Sequence, residues 1–336
     1  MPKLSKKTVS VPLLLCAAAA AAAATAQPAA ADLAALTATE AVRQLCAGTL
    51  SSEQLVMASL ARARARPELN AFVTLDEAGA LKAARAADAQ QRKRGGAACK
   101  PLAGLPVVIK DNIQVQGLPA TAGTPALKGF VPAADAPVVA KLRAAGAVIL
   151  GKTSMHELAF GVTGWNPAFQ SGPEVGVRNA YDVRRIAGGS SSGNGAALGA
   201  RIVPAALGTD TGGSVRIPCA FNGCAALRPS MGRYPQQGIA PISHSRDTAG
   251  PMAASVADLV LLDRVIAGGA AIRPANLKRV RLGVVPAFYE NLDADTRAAT
   301  DAALARLREA GATLVDVPMP KLMELNGAIG FPVALY

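Results

Sequence analysis

Short apolar runs alternate along the chain with longer segments in which apolar and polar residues are mixed. The short runs predict strands at residues 71–75, 105–110, 147–150, 205–208, 280–285 and 313–317. The longer segments predict helices at residues 76–94, 137–145, 195–204, 255–267 and 294–310. Because helices and strands alternate, we expect an α/β fold with a mixed, largely parallel, twisted sheet covered by helices on both faces.

Capping signals add three further helix starts. Two early helices begin with capping boxes, in which a hydroxyl residue is followed by Glu or Gln at the third position: Thr37 with Glu40, and Ser51 with Gln54. Thr153 or Ser154 is also expected to cap a helix that has Glu157 in its first turn.

The first 26 residues have the pattern of a secretory signal peptide. Three lysines near Met1 supply a positive region, residues 9–24 supply an apolar stretch, and residues 24–26 read Ala-Thr-Ala, a small-residue cleavage site. We therefore expect residues 27–336 to form one domain, exported to the periplasm or out of the cell and without a membrane span after cleavage.

Exported protein is expected to begin at Gln27, because signal peptidase cuts after the small residue at the end of such a leader. Mass spectrometry of the periplasmic fraction of a host that expresses the whole chain would identify the N-terminal peptide. Protein that retains residues 1–26 and stays in the cytoplasm would contradict export.

The composition suits one large domain. The chain has 336 residues, of which 51% are apolar, so it can bury a sizeable core. Its net charge is +12 at pH 7, and loss of the three leader lysines would leave about +9. No basic run interleaved with aromatic residues occurs, which argues against a nucleic-acid partner. A homodimer remains possible.

Four cysteines follow the leader, in a compartment that would permit disulfides. A bond between Cys46 and Cys99 is possible. Cys219 and Cys224 lie in a segment of small residues and are expected to be buried thiols.

The segment from Gly188 to Pro218 contains two Gly-Ser clusters and is the candidate active site. Glycine permits the tight turns that bring backbone amides and serine hydroxyls together. The apolar segment that ends in Lys110 adds a base, because a lysine at the end of a buried strand is desolvated and has a lowered pKa. No GxxxxGK[ST] pattern occurs, which argues against a nucleotide site.

Three segments, in order along the chain, resemble the amidase signature hydrolases: GLPVVIKDNI at 104–113, GGSSSG at 188–193 and GTDTGGSVRIP at 208–218. The resemblance implies the amidase signature fold and a catalytic triad of Lys110 as base, Ser190 as relay and Ser214 as nucleophile. In the family, the relay serine follows a cis peptide bond. This chain departs from the family at Ala187, where proline is frequent, and at Ser192, where glycine is usual.

The resemblance also implies roles for neighbouring residues. Backbone N–H groups at Thr211, Gly212 and Gly213 would stabilise the oxyanion of the tetrahedral intermediate. Ser191, Asp210 and Arg216 would support the triad, the last two as an ion pair that braces the nucleophile turn. Trp165 and Phe169 could contact an aryl substrate. The chemistry implied requires no metal and no organic cofactor.

The expected function is hydrolysis of small primary amides, with aryl or arylalkyl amides favoured, through an acyl-enzyme. One alternative is a non-catalytic binding or vestigial protein with the same fold, because family members usually continue beyond the length of this chain and a C-terminal part is expected to be missing. A second alternative is a protein like the A subunit of glutamyl-tRNA amidotransferase.

Overall fold

A computed structural model of the protein describes residues 33, 35–94, 98–170, 175–269, 272 and 274–335. The predicted signal peptide, residues 1–26, lies outside the described residues. Within the part of the chain that the structure describes, no helix has the length and apolar character needed to cross a membrane.

All six predicted strands are present close to their expected positions. The helices at 216–222 and 322–335 and the strands at 225–226 and 248–253 were not predicted. The helices are α1 Ala38–Ala47, α2 Ser52–Ala65, α3 Glu77–Lys93, α4 Pro137–Ala144, α5 Ser192–Gly199, α6 Arg216–Asn222, α7 Val256–Ala267, α8 Ala294–Glu309 and α9 Leu322–Leu335. The strands are β1 Phe72–Leu75, β2 Pro106–Lys110, β3 Val148–Thr153, β4 Ala205–Asp210, β5 Ala225–Ala226, β6 Thr248–Ala253, β7 Arg281–Val284 and β8 Thr313–Asp316.

The main sheet has the strand order β1-β3-β2-β4-β6-β5. Its centre is parallel, since β2 pairs in parallel with β3 and with β4, whereas β1, β5 and β6 pair antiparallel with their neighbours. Strands β7 and β8 pair in parallel with each other as a separate sheet of two strands. The predicted α/β fold with a mixed sheet is confirmed. The carboxyl ends of the parallel strands β2, β3 and β4 therefore meet at one edge, where ligands bind in open α/β sheets.

Helices cover both faces of the main sheet, as predicted. Side chains of a strand alternate between its two faces, so Val107 and Ile109 enter one buried cluster while Val108 enters the other. The first cluster includes residues of α1, α4 and α7, and the second includes residues of α3, α5 and α6. Helix α2 contributes to both and begins with the predicted capping box of Ser51 and Gln54.

The local structure differs from the prediction after Thr153 and at β6. The helix expected after Thr153 is a single 3₁₀ turn at Glu157–Ala159, because Leu158 and Ala159 adopt positive φ angles of 50° and 59°. Strand β6 was not predicted, since Gly250 and Pro251 make its segment a poor strand former. Pairing with β4 along its whole length holds these residues extended.

The cysteines form two disulfides. Cys46 and Cys99 are bonded, with their Cα atoms 5.8 Å apart, as the sequence allowed. Cys219 and Cys224 are also bonded, which corrects the prediction of two buried thiols. Gly223 caps the C-terminal end of helix α6, and its φ of 65° turns the chain back. The Cys224 amide then donates a hydrogen bond to the Cys219 carbonyl at 3.0 Å.

Candidate functional site

The three residues of the predicted triad come together at the carboxyl edge of the parallel strands. Lys110 is the last residue of β2, Ser190 lies in the turn before α5, and Ser214 lies in the loop between β4 and α6. The Lys110 ammonium nitrogen is 2.8 Å from Ser190 Oγ and 2.8 Å from Thr209 Oγ1. The Gly189–Ser190 peptide bond is cis, as in the family that the sequence resembles.

Lys110 has the environment of a base. Its side chain is completely buried, and this burial lowers its pKa to about 7, although the carboxylates of Asp210 and Asp247 act in the opposite direction. Near neutral pH a substantial fraction of the amine is therefore uncharged and can accept a proton.

Ser214 lies where the buried site meets an open cavity, with 8% of its surface exposed. Its carbonyl accepts a hydrogen bond of 3.0 Å from the Ser191 amide, which joins the nucleophile loop to the turn that carries Ser190. Ser191 Oγ also pairs with the backbone of Thr209, at 3.2 Å to the carbonyl and 3.3 Å to the amide. Among the hydrogen bonds of the described residues, none links the hydroxyls of Ser190 and Ser214.

Asp210 organises the nucleophile loop. Its buried carboxylate accepts hydrogen bonds from the amides of Gly213 at 2.8 Å and Val215 at 3.2 Å, and it forms an ion pair with Arg216 at 3.1 Å. Burial would raise the pKa of Asp210, but the hydrogen bonds from Arg216 and the two amides outweigh it and lower the pKa below its usual range. The ion pair expected from the sequence is thus present, and it holds both sides of the turn that contains Ser214.

The three predicted oxyanion donors are not equivalent. Thr211 and Gly212 line the cavity next to Ser214. The Gly213 amide instead donates to Asp210, so this N–H would have to share its hydrogen to stabilise an oxyanion. Gly213 has a φ of 124°, and a Cβ there would lie 2.8 Å from Ile217, which explains why glycine occupies this position.

The cavity beside Ser214 has a volume of about 230 Å³ and mainly apolar walls. We call it the acyl cavity, and its lining residues are Ala159, Phe160, Gly161, Val162, Thr211, Gly212, Ser214 and Ile242. Of the two aromatic residues predicted to contact substrate, the described lining includes neither Trp165 nor Phe169, and Trp165 is 54% exposed. Phe160 and Val162, from the same loop, occupy the wall instead.

Sequence reasoning missed a second buried lysine. The Lys152 ammonium lies 3.3 Å from Asp111 Oδ1 and 2.9 Å from the Pro119 carbonyl, and both charged side chains are fully buried. Burial lowers the pKa of Lys152, and Asp111 partly offsets this effect. Asp111 directly follows Lys110, so the ion pair between Asp111 and Lys152 fixes the chain at the carboxyl end of β2. The available signal was a lysine that follows the apolar run 147–150 after a single glycine.

Replacing Asp111 with alanine is expected to lower the free energy of unfolding by about 3–5 kcal/mol, because Lys152 would remain buried without its counter-ion. Urea denaturation would measure the change. The double variant Asp111→Ala/Lys152→Met should recover part of the loss. Glu40→Ala, which breaks the exposed ion pair with Arg43, serves as a control that should change stability little. Equal stability of the single and double variants would contradict a buried ionic interaction.

Within the described ranges, no group of His, Cys, Asp and Glu side chains is arranged to hold a metal ion.

Comparison with known proteins gives consistent matches. The model of the family described as Amidase matches residues 54–335. The chain is 48% identical over 301 residues to the mandelamide hydrolase of Pseudomonas putida, covering 90% of this chain and 59% of that protein. It is 40% identical to the indoleacetamide hydrolase of Agrobacterium vitis, covering 84% of this chain and 59% of that protein.

A solved structure described as an amidase superposes with a TM-score of 0.80 at 38% sequence identity, covering 89% of this chain and 67% of that one. The chain spans about 59% of the length of the mandelamide hydrolase and of the indoleacetamide hydrolase.

Proposed function

Because this chain belongs to the amidase family, we propose that it hydrolyses small primary amides through Ser214, Ser190 and Lys110. The observation that carries the proposal is the fully buried Lys110, whose side-chain nitrogen lies 2.8 Å from the Ser190 hydroxyl. Ser214, in the adjoining loop, lines an apolar cavity. This arrangement supplies a base, a proton relay and a nucleophile within one site, which is what acyl transfer by a serine requires.

The first step is attack of Ser214 Oγ on the amide carbonyl. Ser214 transfers its proton to Ser190 Oγ, and Ser190 transfers its own proton to the neutral amine of Lys110. Hydrogen bonds in catalytic sites often become short only when substrate is bound. The 3.0 Å bond between the Ser191 amide and the Ser214 carbonyl keeps the two serine loops close enough for this contact to form.

Backbone amides stabilise the negative oxygen that develops during attack. Thr211 and Gly212 line the cavity beside Ser214, which supports this role, and one such donor contributes about 2.7–4 kcal/mol to transition-state stabilisation. Collapse of the intermediate returns the proton through Ser190 to the departing nitrogen, and ammonia leaves. Water then attacks the acyl-enzyme by the same route, which releases the carboxylic acid and regenerates Ser214.

The walls of the acyl cavity support a proposal for the substrate class. Phe160, Val162 and Ile242 are apolar, so a hydrophobic acyl group is favoured over a charged one. Two of the curated relatives are named for mandelamide and indoleacetamide, which both carry an aromatic group on the acyl side. We therefore propose aryl and arylalkyl amides as substrates.

Replacing Ile242 with alanine is expected to lower kcat/KM for phenylacetamide about tenfold, because the phenyl group loses apolar contact. The rate with acetamide should be nearly unchanged, since that substrate has no group to reach this wall. Trp165→Ala is the matched comparison. If Trp165→Ala selectively impaired phenylacetamide and Ile242→Ala did not, the acyl group would lie against the predicted aromatic loop residue and not in the acyl cavity.

A further inference from the structure

A second, smaller cavity adjoins the acyl cavity and shares Ala159, Thr211 and Ile242 with it. Its other lining residues are mostly polar: Asn112, Thr209, Gln236, Ile239, Ala240, Asp247 and Thr248. We call it the polar cavity. Its volume of about 10 Å³ is close to the space that one water molecule requires.

Two buried oxygen atoms of residues that line the polar cavity have no hydrogen-bond partner. They are Asn112 Oδ1 and Gln236 Oε1. Asn112 is only 4% exposed, and its amide nitrogen donates to Thr209 Oγ1 at 3.1 Å. The Gln236 amide nitrogen donates to the Tyr234 carbonyl at 3.0 Å, which leaves the carbonyl oxygen as the free end. Buried polar groups in native proteins are nearly always paired, so these two acceptors call for a donor.

Backbone pairing brings Asn112 close to the segment that follows Gln236, and both residues line the polar cavity. The segment 112–114 runs beside the segment 238–240, with an antiparallel bridge between Ile113 and Ile239. The Ala240 amide donates to the Asn112 carbonyl at 2.9 Å, and the Gln114 amide donates to the Gly238 carbonyl at 2.9 Å. These two hydrogen-bonded segments therefore form one side of the cavity.

Asp247 adds a further acceptor to the wall of the polar cavity. The Asp247 carboxylate is held by the Thr211 hydroxyl at 2.6 Å and by the Ile242 amide at 2.7 Å. A cavity with two free carbonyl oxygens and a carboxylate in its wall favours a molecule that donates hydrogen bonds and carries no negative charge.

We propose that the polar cavity binds one small hydrogen-bond donor, a water molecule or the ammonia released from a primary amide. Thr209 connects this molecule to the catalytic base, because Thr209 Oγ1 contacts both Lys110 Nζ at 2.8 Å and Asn112 Nδ2 at 3.1 Å. The shared wall formed by Thr211 places the polar cavity beside the acyl cavity. Ammonia as the occupant rests on the proposed function, because amide hydrolysis would release it. The existence of the site does not depend on that function.

High-resolution crystal structures of wild type, Gln236→Leu and Gln237→Leu test the site without any assay of turnover. Wild type should show one density peak within about 3.2 Å of both Asn112 Oδ1 and Gln236 Oε1. The peak should persist in Gln237→Leu, which changes the exposed neighbour, and disappear from Gln236→Leu. An empty cavity in wild type, or a peak that Gln236→Leu leaves in place, would overturn the proposal.

Binding of ¹⁵N-labelled ammonium to the inactive Ser214→Ala protein, followed by NMR, distinguishes the two sources. If ammonia occupies the site, a bound ammonium signal should appear, weaken at least tenfold in Gln236→Leu and strengthen in Gln236→Glu, which adds a negative charge. A crystallographic peak without bound ammonium supports the site with water as its occupant. Ammonium binding that none of these substitutions alters would count against the assignment of ammonia to this cavity.

Discussion

Replacing Ser214 with alanine is expected to lower the rate of amide hydrolysis by a factor on the order of 10⁶, the scale of losing the nucleophile of a serine hydrolase. The substitution removes one oxygen atom from a residue that is 8% exposed at the cavity, so the fold should be retained. Ammonia release from phenylacetamide measures the activity, and circular dichroism with thermal unfolding checks the fold.

Covalent labelling identifies the nucleophile independently of the substrate. A fluorophosphonate should modify wild type at Ser214 and should leave Ser214→Ala unlabelled. Ser192→Ala is the matched control, because Ser192 begins α5 two residues after Ser190, and its hydroxyl donates to the Ser190 carbonyl at 3.4 Å. Label that persists in Ser214→Ala would assign the nucleophile elsewhere. A wild-type protein that neither turns over amides nor takes the label would favour the alternative of a non-catalytic binding protein.

Replacing Lys110 with methionine is expected to lower kcat/KM by about 10²- to 10⁴-fold, the usual contribution of a general base. The lowered pKa of about 7 also sets the pH dependence. Since only the neutral amine accepts a proton, the wild-type rate should rise as pH increases through about 7 and then level off. Kinetics between pH 5.5 and 9, a range chosen to span roughly this transition, would measure both effects.

Lys152→Met is the matched control for Lys110→Met. Lys152 is equally buried but contacts Asp111 and not a serine hydroxyl. Its replacement should reduce stability while the rise in rate near neutral pH remains. If Lys110→Met kept a rate near that of wild type, a base other than Lys110 would have to deprotonate the relay serine.

The core of the site could be predicted because its signals are local. Lys110 ends the apolar run 105–110, so its place at the end of a buried strand followed from these residues, and its role as a base followed from the family resemblance. The turns of the two Gly-Ser segments could likewise be predicted, because the glycines within each segment permit tight turns. Asp210 and Arg216 stand six residues apart on either side of one turn, and their ion pair is a short-range contact.

Other features could not be predicted because they depend on how the loops and turns close in three dimensions. Whether Phe160 or Trp165 faces Ser214 depends on the positive φ angles of Leu158 and Ala159, which redirect the loop. Whether the Gly213 amide points to a substrate or to Asp210 depends on how tightly the turn closes. The bond between Cys219 and Cys224 depends on the left-handed residue at the end of α6.

By itself, the sequence determined most of the strands and helices, the family resemblance and the three residues that we propose as the triad, since each of these rests on a pattern within about ten to thirty residues. Only the tertiary structure decided which walls enclose the acyl cavity and that Asn112 and Gln236 lie at one polar cavity. The physical reason is that backbone propensity and turn chemistry act between neighbours along the chain. The environment of a side chain instead depends on packing among strands and loops that folding brings together.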